Sequence, residues 1–130
     1  MTPPIAGGAQ WSLQCTVIAL EGVTLLVPAG VLDSATASVL QVALQPAVDD
    51  GRRIVVDLSK VEAIDASGVR VLEAAQHGDE EAGFQVMLAA PPERIRRLIE
   101  TFRLSRALPV FPSVEAALKS VRPAGQRPAG

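Results

Sequence analysis

Between residues 13 and 121, short β-prone apolar runs alternate with longer segments whose apolar residues recur every three or four positions. This alternation restricts the fold more than anything else in the chain, because each period fits one kind of element. Leu13–Leu20 and Val23–Val27 are β-prone and separated by Glu21-Gly22, which reads as a hairpin turn. Ser34–Gln45 follows with Val39, Leu40, Ala43 and Leu44 at helical spacing; Pro46 should end or kink that helix, and Asp49-Asp50-Gly51 makes the exit turn. Ile54–Leu58 is a nearly continuous apolar run, as expected of a strand buried on both faces. A second helix is expected over Gly68–Gln76, with His77 in its last turn and Gly78 after it, and a further buried strand over Phe84–Ala90. Pro91-Pro92 opens a third helix whose Ile95, Leu98, Ile99 and Phe102 form one stripe, while Arg94, Arg96, Arg97 and Arg103 form its solvent face. Leu108–Phe111 reads as a last strand, and Ser113 as the cap of a helix with Val114, Ala117, Leu118 and Val121 turned inward.

The fold class that follows is α/β: a four- to five-stranded mixed sheet centred on Ile54–Leu58 and Phe84–Ala90, with four helices packed mainly on one face. The opening hairpin forces at least one antiparallel pair. A chain of 130 residues, 48% of them hydrophobic, has room for one core. The Pro- and Gly-containing ends, 1–10 and 122–130, read as flexible tails around a domain at 11–121.

Composition removes several function classes. With a single cysteine, Cys15, and a single histidine, His77, there is material neither for a disulfide nor for a thiolate or imidazole metal cluster. Cys15 lies in an apolar strand with nothing basic beside it, which describes a buried and inert thiol. No phosphate-binding glycine loop occurs, and neither a cofactor nor a metal is expected. A net charge of −2, no tyrosine and a single tryptophan, Trp11, give no basis for direct nucleic-acid binding. No apolar run approaches the ~18–20 residues of a membrane span, and Met1–Gly8 lacks a signal peptide's basic and apolar regions, so a cytoplasmic chain without membrane insertion is expected. The acidic run Asp79–Glu81 reads as a solvated loop.

One segment stands apart. In Ile54–Leu72 a buried strand leads through a short loop to Asp65-Ala66-Ser67-Gly68, which opens a helix. A turn of this kind presents polar groups at a helix N-terminus, where free backbone N–H groups and the positive end of the dipole make added negative charge consequential. Asp65 or Ser67 is the expected N-cap.

This segment resembles the signature of the STAS domain of bacterial anti-sigma-factor antagonists, in which a Val-Val-x-Asp-Leu strand end precedes Asp-Ser-Ser-Gly and an apolar helix. Val55-Val56-Asp57-Leu58, without the intervening residue, and Asp65-Ala66-Ser67-Gly68 stand in those places, Gly30-Val31-Leu32-Asp33 is similar to the family's Gly-x-Leu/Ile-Asp, and Pro92–Val121 is similar to its C-terminal third. The resemblance implies a non-enzymatic, cytoplasmic protein-binding module that engages a serine-kinase-type anti-sigma factor through Asp33, Asp65, Ala66, Ser67, Gly68 and Val69. It also places Ala66 where the family carries the serine that the kinase phosphorylates, with Ser67 the one neighbouring hydroxyl able to act as surrogate. Two other readings stay open on the same resemblance: a STAS subunit of a membrane lipid-transport ATPase, and a sensor of a nucleotide or other small ligand.

Overall fold

The computed structural model describes residues 13–76, 85–106 and 108–121. Trp11, His77, Gly78, the run 79–81, Phe84 and both expected tails lie outside the described residues.

The chain opens with an antiparallel hairpin of β1 (Leu13–Leu20) and β2 (Val23–Leu32), paired from Leu20↔Val23 to Leu13↔Gly30. Then come α1 (Ala37–Asp49), β3 (Arg53–Asp57), β4 (Val61–Ile64), α2 (Ala66–Ala75), β5 (Val86–Ala89), α3 (Glu93–Thr101), a 3₁₀ turn at Leu104–Arg106, β6 (Val110–Phe111) and α4 (Val114–Ser120). The strands form one mixed sheet in the order β1-β2-β3-β5-β6, with β4 also on β2; every pair except β1–β2 is parallel.

The two strands expected at the centre are there, β3 between β2 and β5, and β5 between β3 and β6. Alternation along them separates two cores. Ile54, Val56, Val86 and Leu88 face one side, against Leu40 and Leu44 of α1, Val69 and Leu72 of α2, and Ile95 and Ile99 of α3. Val55, Met87 and Ala89 face the other, against Ala117 of α4. Three helices on one face and one on the other agree with the sequence-based architecture.

The strand count does not. Six strands stand where four to five were expected, and β2 runs to Leu32 rather than Val27. Pro28 and Gly30 look like punctuation, yet β2 continues through them because β1 pairs with it from Val23 to Gly30 while its neighbour on the other side changes. Val23–Leu26 pair with β3, Gly30–Leu32 pair with β4, and Pro28 falls between the two, where a missing N–H breaks no ladder on that side. The β2–β4 register shifts between Gly30 and Val31, and Gly30 has a φ of 124°, which costs little only without a Cβ. The missed strand, Val61–Ile64, has four residues, buried only at its ends, too short for a period to show.

Helix boundaries moved for physical reasons too. α1 begins at Ala37, because residues 33–36 form a turn of their own, and it runs past Pro46 to Asp49. Pro46 lacks the N–H that would bond the carbonyl of Val42; both residues are exposed, so water can take that carbonyl. α2 begins two residues before the expected Gly68, since Asp65 is its cap, and it ends at Ala75. Ser113 caps α4 as expected, its Oγ accepting from Ala116 N at 3.0 Å. On α3, Arg96 and Arg97 pair with Glu93 and Glu100, whereas Arg94 donates to the Glu62 carbonyl and ties the helix to β4.

Candidate functional site

β2 and β4 are parallel neighbours in register at Leu32↔Ile64, so the residues that follow them, Asp33 and Asp65, emerge side by side at one end of the sheet. Asp65 N donates to Leu32 O at 2.9 Å, locking the second turn to the first. Each aspartate then bends the chain with its own side chain. Asp65 Oδ1 accepts from Ser67 N at 2.8 Å and Gly68 N at 3.4 Å, so Asp65 and not Ser67 is the N-cap of α2. Asp33 Oδ1 accepts from Ala35 N at 2.9 Å and Thr36 N at 3.2 Å. Thr36, buried beneath, donates from Oγ1 to Val31 O at 2.6 Å and accepts from Asp33 N at 3.0 Å, which satisfies a hydroxyl that would otherwise be costly to bury.

Gly68 fixes the distance between the two turns. A Cβ there would stand 2.8 Å from Leu32 Cβ and 2.9 Å from Leu32 O, so only a glycine lets the first turn of α2 rest on the end of β2. Val69 and Leu72 anchor the helix in the core behind it.

Of the six residues singled out from the sequence, the structure brings all to this end but exposes them unequally. Asp65 and Ala66 are exposed, Asp33 and Ser67 are half-buried, and Gly68 and Val69 are buried. The outward surface is therefore Asp65 and Ala66, with Arg70 exposed one turn further along α2, and Gly68 and Val69 support it from beneath. Among the described residues the Ser67 hydroxyl makes no hydrogen bond.

Two positioning residues were not singled out from the sequence. Gln76, at the C-terminus of α2, accepts through Oε1 from Gln85 N at 2.9 Å and Val86 N at 3.0 Å, stitching the helix end to the start of β5. Arg52 donates from Nε to Thr24 Oγ1 at 2.8 Å and from its guanidinium to the carbonyls of Leu20 and Val23, clamping the hairpin turn. Neither has a local signal: each acts through carbonyls or amides distant in sequence.

Cys15 is half-buried rather than fully buried, and burial pushes its thiol above the usual range, which keeps it protonated at neutral pH. Among the described residues no group of three or more His, Cys, Asp or Glu side chains could hold a metal ion, and no helix is long and apolar enough to cross a membrane.

Fold and site together define a small mixed-sheet α/β domain whose distinctive feature is a rigid, aspartate-capped helix start beside a second aspartate turn. Residues 14–117 match the STAS domain model, and the chain belongs to the STAS domain family. It is 29% identical over 116 residues to BtrV of Bordetella bronchiseptica, named as an anti-sigma factor antagonist, covering 86% of this chain and 97% of that protein. The crystal structure of an anti-sigma factor antagonist from Mycobacterium paratuberculosis superposes with a TM-score of 0.75 at 30% identity, over 85% of this chain and 95% of that one. The anti-sigma factor antagonist SpoIIAA in its unphosphorylated form shares the fold, with a TM-score of 0.63 at 17% identity over 85% of this chain and 96% of that one.

Proposed function

We propose that this chain is an anti-sigma-factor antagonist: a non-catalytic module of a bacterial partner-switching pathway that docks on a serine-kinase-type anti-sigma factor through the 65–68 turn. The observation that carries the reading is the exposed Asp65-Ala66 corner, held by the Asp65 cap and the Gly68 contact on a chain whose relatives bear that name. A surface fixed in this way loses little conformational freedom on binding.

Ala66 stands at the position of the family's acceptor serine, so the antagonist works without the usual phosphorylation there. Placing a permanent charge at that point should mimic the modified state. Ala66→Glu is the clean variant, because Ala66 is exposed and makes no side-chain bond that the substitution breaks. Asp33→Lys is a poorer probe, since the Asp33 carboxylate also holds the amides of Ala35 and Thr36. The test is calorimetry of wild type and Ala66→Glu against the kinase-type anti-sigma factors of the source organism. One of them should bind wild type, and Ala66→Glu should weaken that binding more than about tenfold, ~1.4 kcal/mol, at unchanged thermal stability. Equal affinity for both proteins would move the interface elsewhere, and no binding to any such factor would sink the reading.

A further inference from the structure

All the large hydrophobic side chains most exposed among the described residues, Val17, Ile18, Leu20, Val39 and Val42, lie on two adjacent elements, β1 and α1. Val42 is 72% exposed and Val17 51%, and of the eight β1 residues six are exposed and only Leu13 is buried. Leu13 and Cys15 of β1 join the core beneath α1, so by alternation Val17 and Ala19 point to the α1 side. They meet Val42, Ala43 and Pro46 there in an open groove of about 510 Å³. Ile18 and Leu20 point to the opposite face, Ile18 paired with half-buried Leu25, and remain exposed there.

β1 is also an edge. Among the described residues it has β2 on one side and no strand on the other. Proteins normally guard such an edge with charge, proline, a bulge or brevity. β1 has none of these: eight residues, Leu-Gln-Cys-Thr-Val-Ile-Ala-Leu, pair with β2 in unbroken register, and none of them is charged. The lack of charge extends further. From Leu13 to Val48 the only charged residues are Glu21 and Asp33, one in the hairpin turn and one at the far end of β2, while Asp50, just past α1, also lines the groove. At the end of the groove Arg52 already spends its guanidinium on the hairpin carbonyls.

We propose that this face is a self-association surface, on which a second copy of the chain pairs its β1 antiparallel to β1 around Val17–Ile18. One two-fold axis perpendicular to the sheet accounts for every part of it. It completes both unpaired edges, sets the two α1 helices beside one another on the same side, and closes the two grooves on each other. The occupant is a second copy because charge selects it. The chain carries a net charge of −2, and antiparallel β1 strands centred on Val17–Ile18 place no like charges opposite one another, with Asp50 of each copy at the end of the groove away from that centre. Eight strand residues span about 26 Å. With a helix about 10 Å across beside them, each copy buries on the order of 400 Å², below the ~800 Å² of a standard interface. The dimer is accordingly weak and transient, populated only at high protein concentration. The surface is distinct from the Asp65-Ala66 corner, and the inference does not depend on the proposed function.

Sedimentation equilibrium of the full chain, from low micromolar to near-millimolar concentration, tests it. Wild type should pass from monomer to dimer, and amides along β1 should exchange more slowly at high concentration. Val17→Lys and Val42→Glu, both at exposed sites and checked for unchanged thermal unfolding, should each raise the dissociation constant more than about tenfold, while Ala66→Glu should leave it unchanged. A wild-type chain that stays monomeric overturns the proposal, as it would if residues 1–12 or another protein occupied the face. A dimer indifferent to both patch variants, or one abolished by Ala66→Glu, overturns it as well.

Discussion

Gly68 shows how much of the Asp65-Ala66 corner depends on a side chain that is absent. The backbone of α2 approaches β2 so closely that a methyl group would press on both the Cβ and the carbonyl of Leu32. Neither can rotate away, so Gly68→Ala should destabilise the domain by about 1–3 kcal/mol and tilt the start of α2; denaturant unfolding reads the first effect and loss of partner binding the second. The hydroxyl beside it matters less than its place suggests. With the cap assigned to Asp65, Asp65→Ala should cost ~1 kcal/mol, whereas Ser67→Ala should fall within about 0.5 kcal/mol of wild type. Asp65→Asn separates cap from charge, because asparagine caps as well as aspartate does; its stability should stay near that of wild type. Equal losses for Asp65→Ala and Ser67→Ala in thermal melts would contradict this division. The order Asp-x-Ser-Gly was legible in the sequence, but which oxygen would cap was not, since either side chain is able to accept an amide hydrogen and the extended backbone of Asp65 decides between them.

Elements were legible where their period was long enough to count and illegible where tertiary pairing overrode local chemistry. The stripe of Ile95, Leu98, Ile99 and Phe102 foretold α3, and Ile95 and Ile99 are indeed buried at its centre. β4 could not be foretold, because its existence depends on the half of β2 that β3 leaves unpaired. The end of α3 keeps a local misfit that neither period nor composition signals. Phe102 closes the helix and Arg103 follows with a φ of 59°, the left-handed position that glycine usually fills. Arg103 N donates to Glu100 O at 3.0 Å, so the turn is formed in spite of the residue that makes it. A left-handed conformation costs a residue with a Cβ roughly 1–2 kcal/mol, and a glycine's larger unfolded-state entropy offsets part of the gain. Arg103→Gly should therefore stabilise the domain by about 0.5–1 kcal/mol, measured as a shift of the urea midpoint without a change in slope. A destabilised variant would mean that the Arg103 side chain contributes packing that its exposed position does not suggest.

For the molecule as a whole, the two aspartate turns at one end of the sheet and the apolar face of β1 and α1 are separate surfaces, to which different roles are proposed. The first was readable from motif order in the sequence. The second was not, because edge position and exposure emerge only when the sheet is assembled. At the first, regulation by phosphate comes down to whether the corner offers an oxygen at the right place. Ala66 is exposed and has none; Ser67, one residue on, is half-buried and turned by a helical step of about 100° from it. A kinase that positions one residue for in-line transfer tolerates little displacement, since even ~1 Å can cost on the order of a hundredfold in rate. Wild type incubated with ATP and the proposed kinase-type partner should therefore remain unmodified, and Ala66→Ser should accept one phosphate per chain, located by peptide mapping. In that variant the phosphate would stand at the N-terminus of α2, close to the Asp65 carboxylate that caps it. The dipole would favour it and the aspartate would oppose it, so its main effect should fall on the partner rather than on the fold. Phosphorylated Ala66→Ser should melt within a few degrees of the unmodified variant while losing affinity for the kinase more than about tenfold. Phosphate on Ser67 of the wild-type chain would show instead that the acceptor has moved along the helix, and an Ala66→Ser protein that stays unmodified would point to a partner other than a kinase.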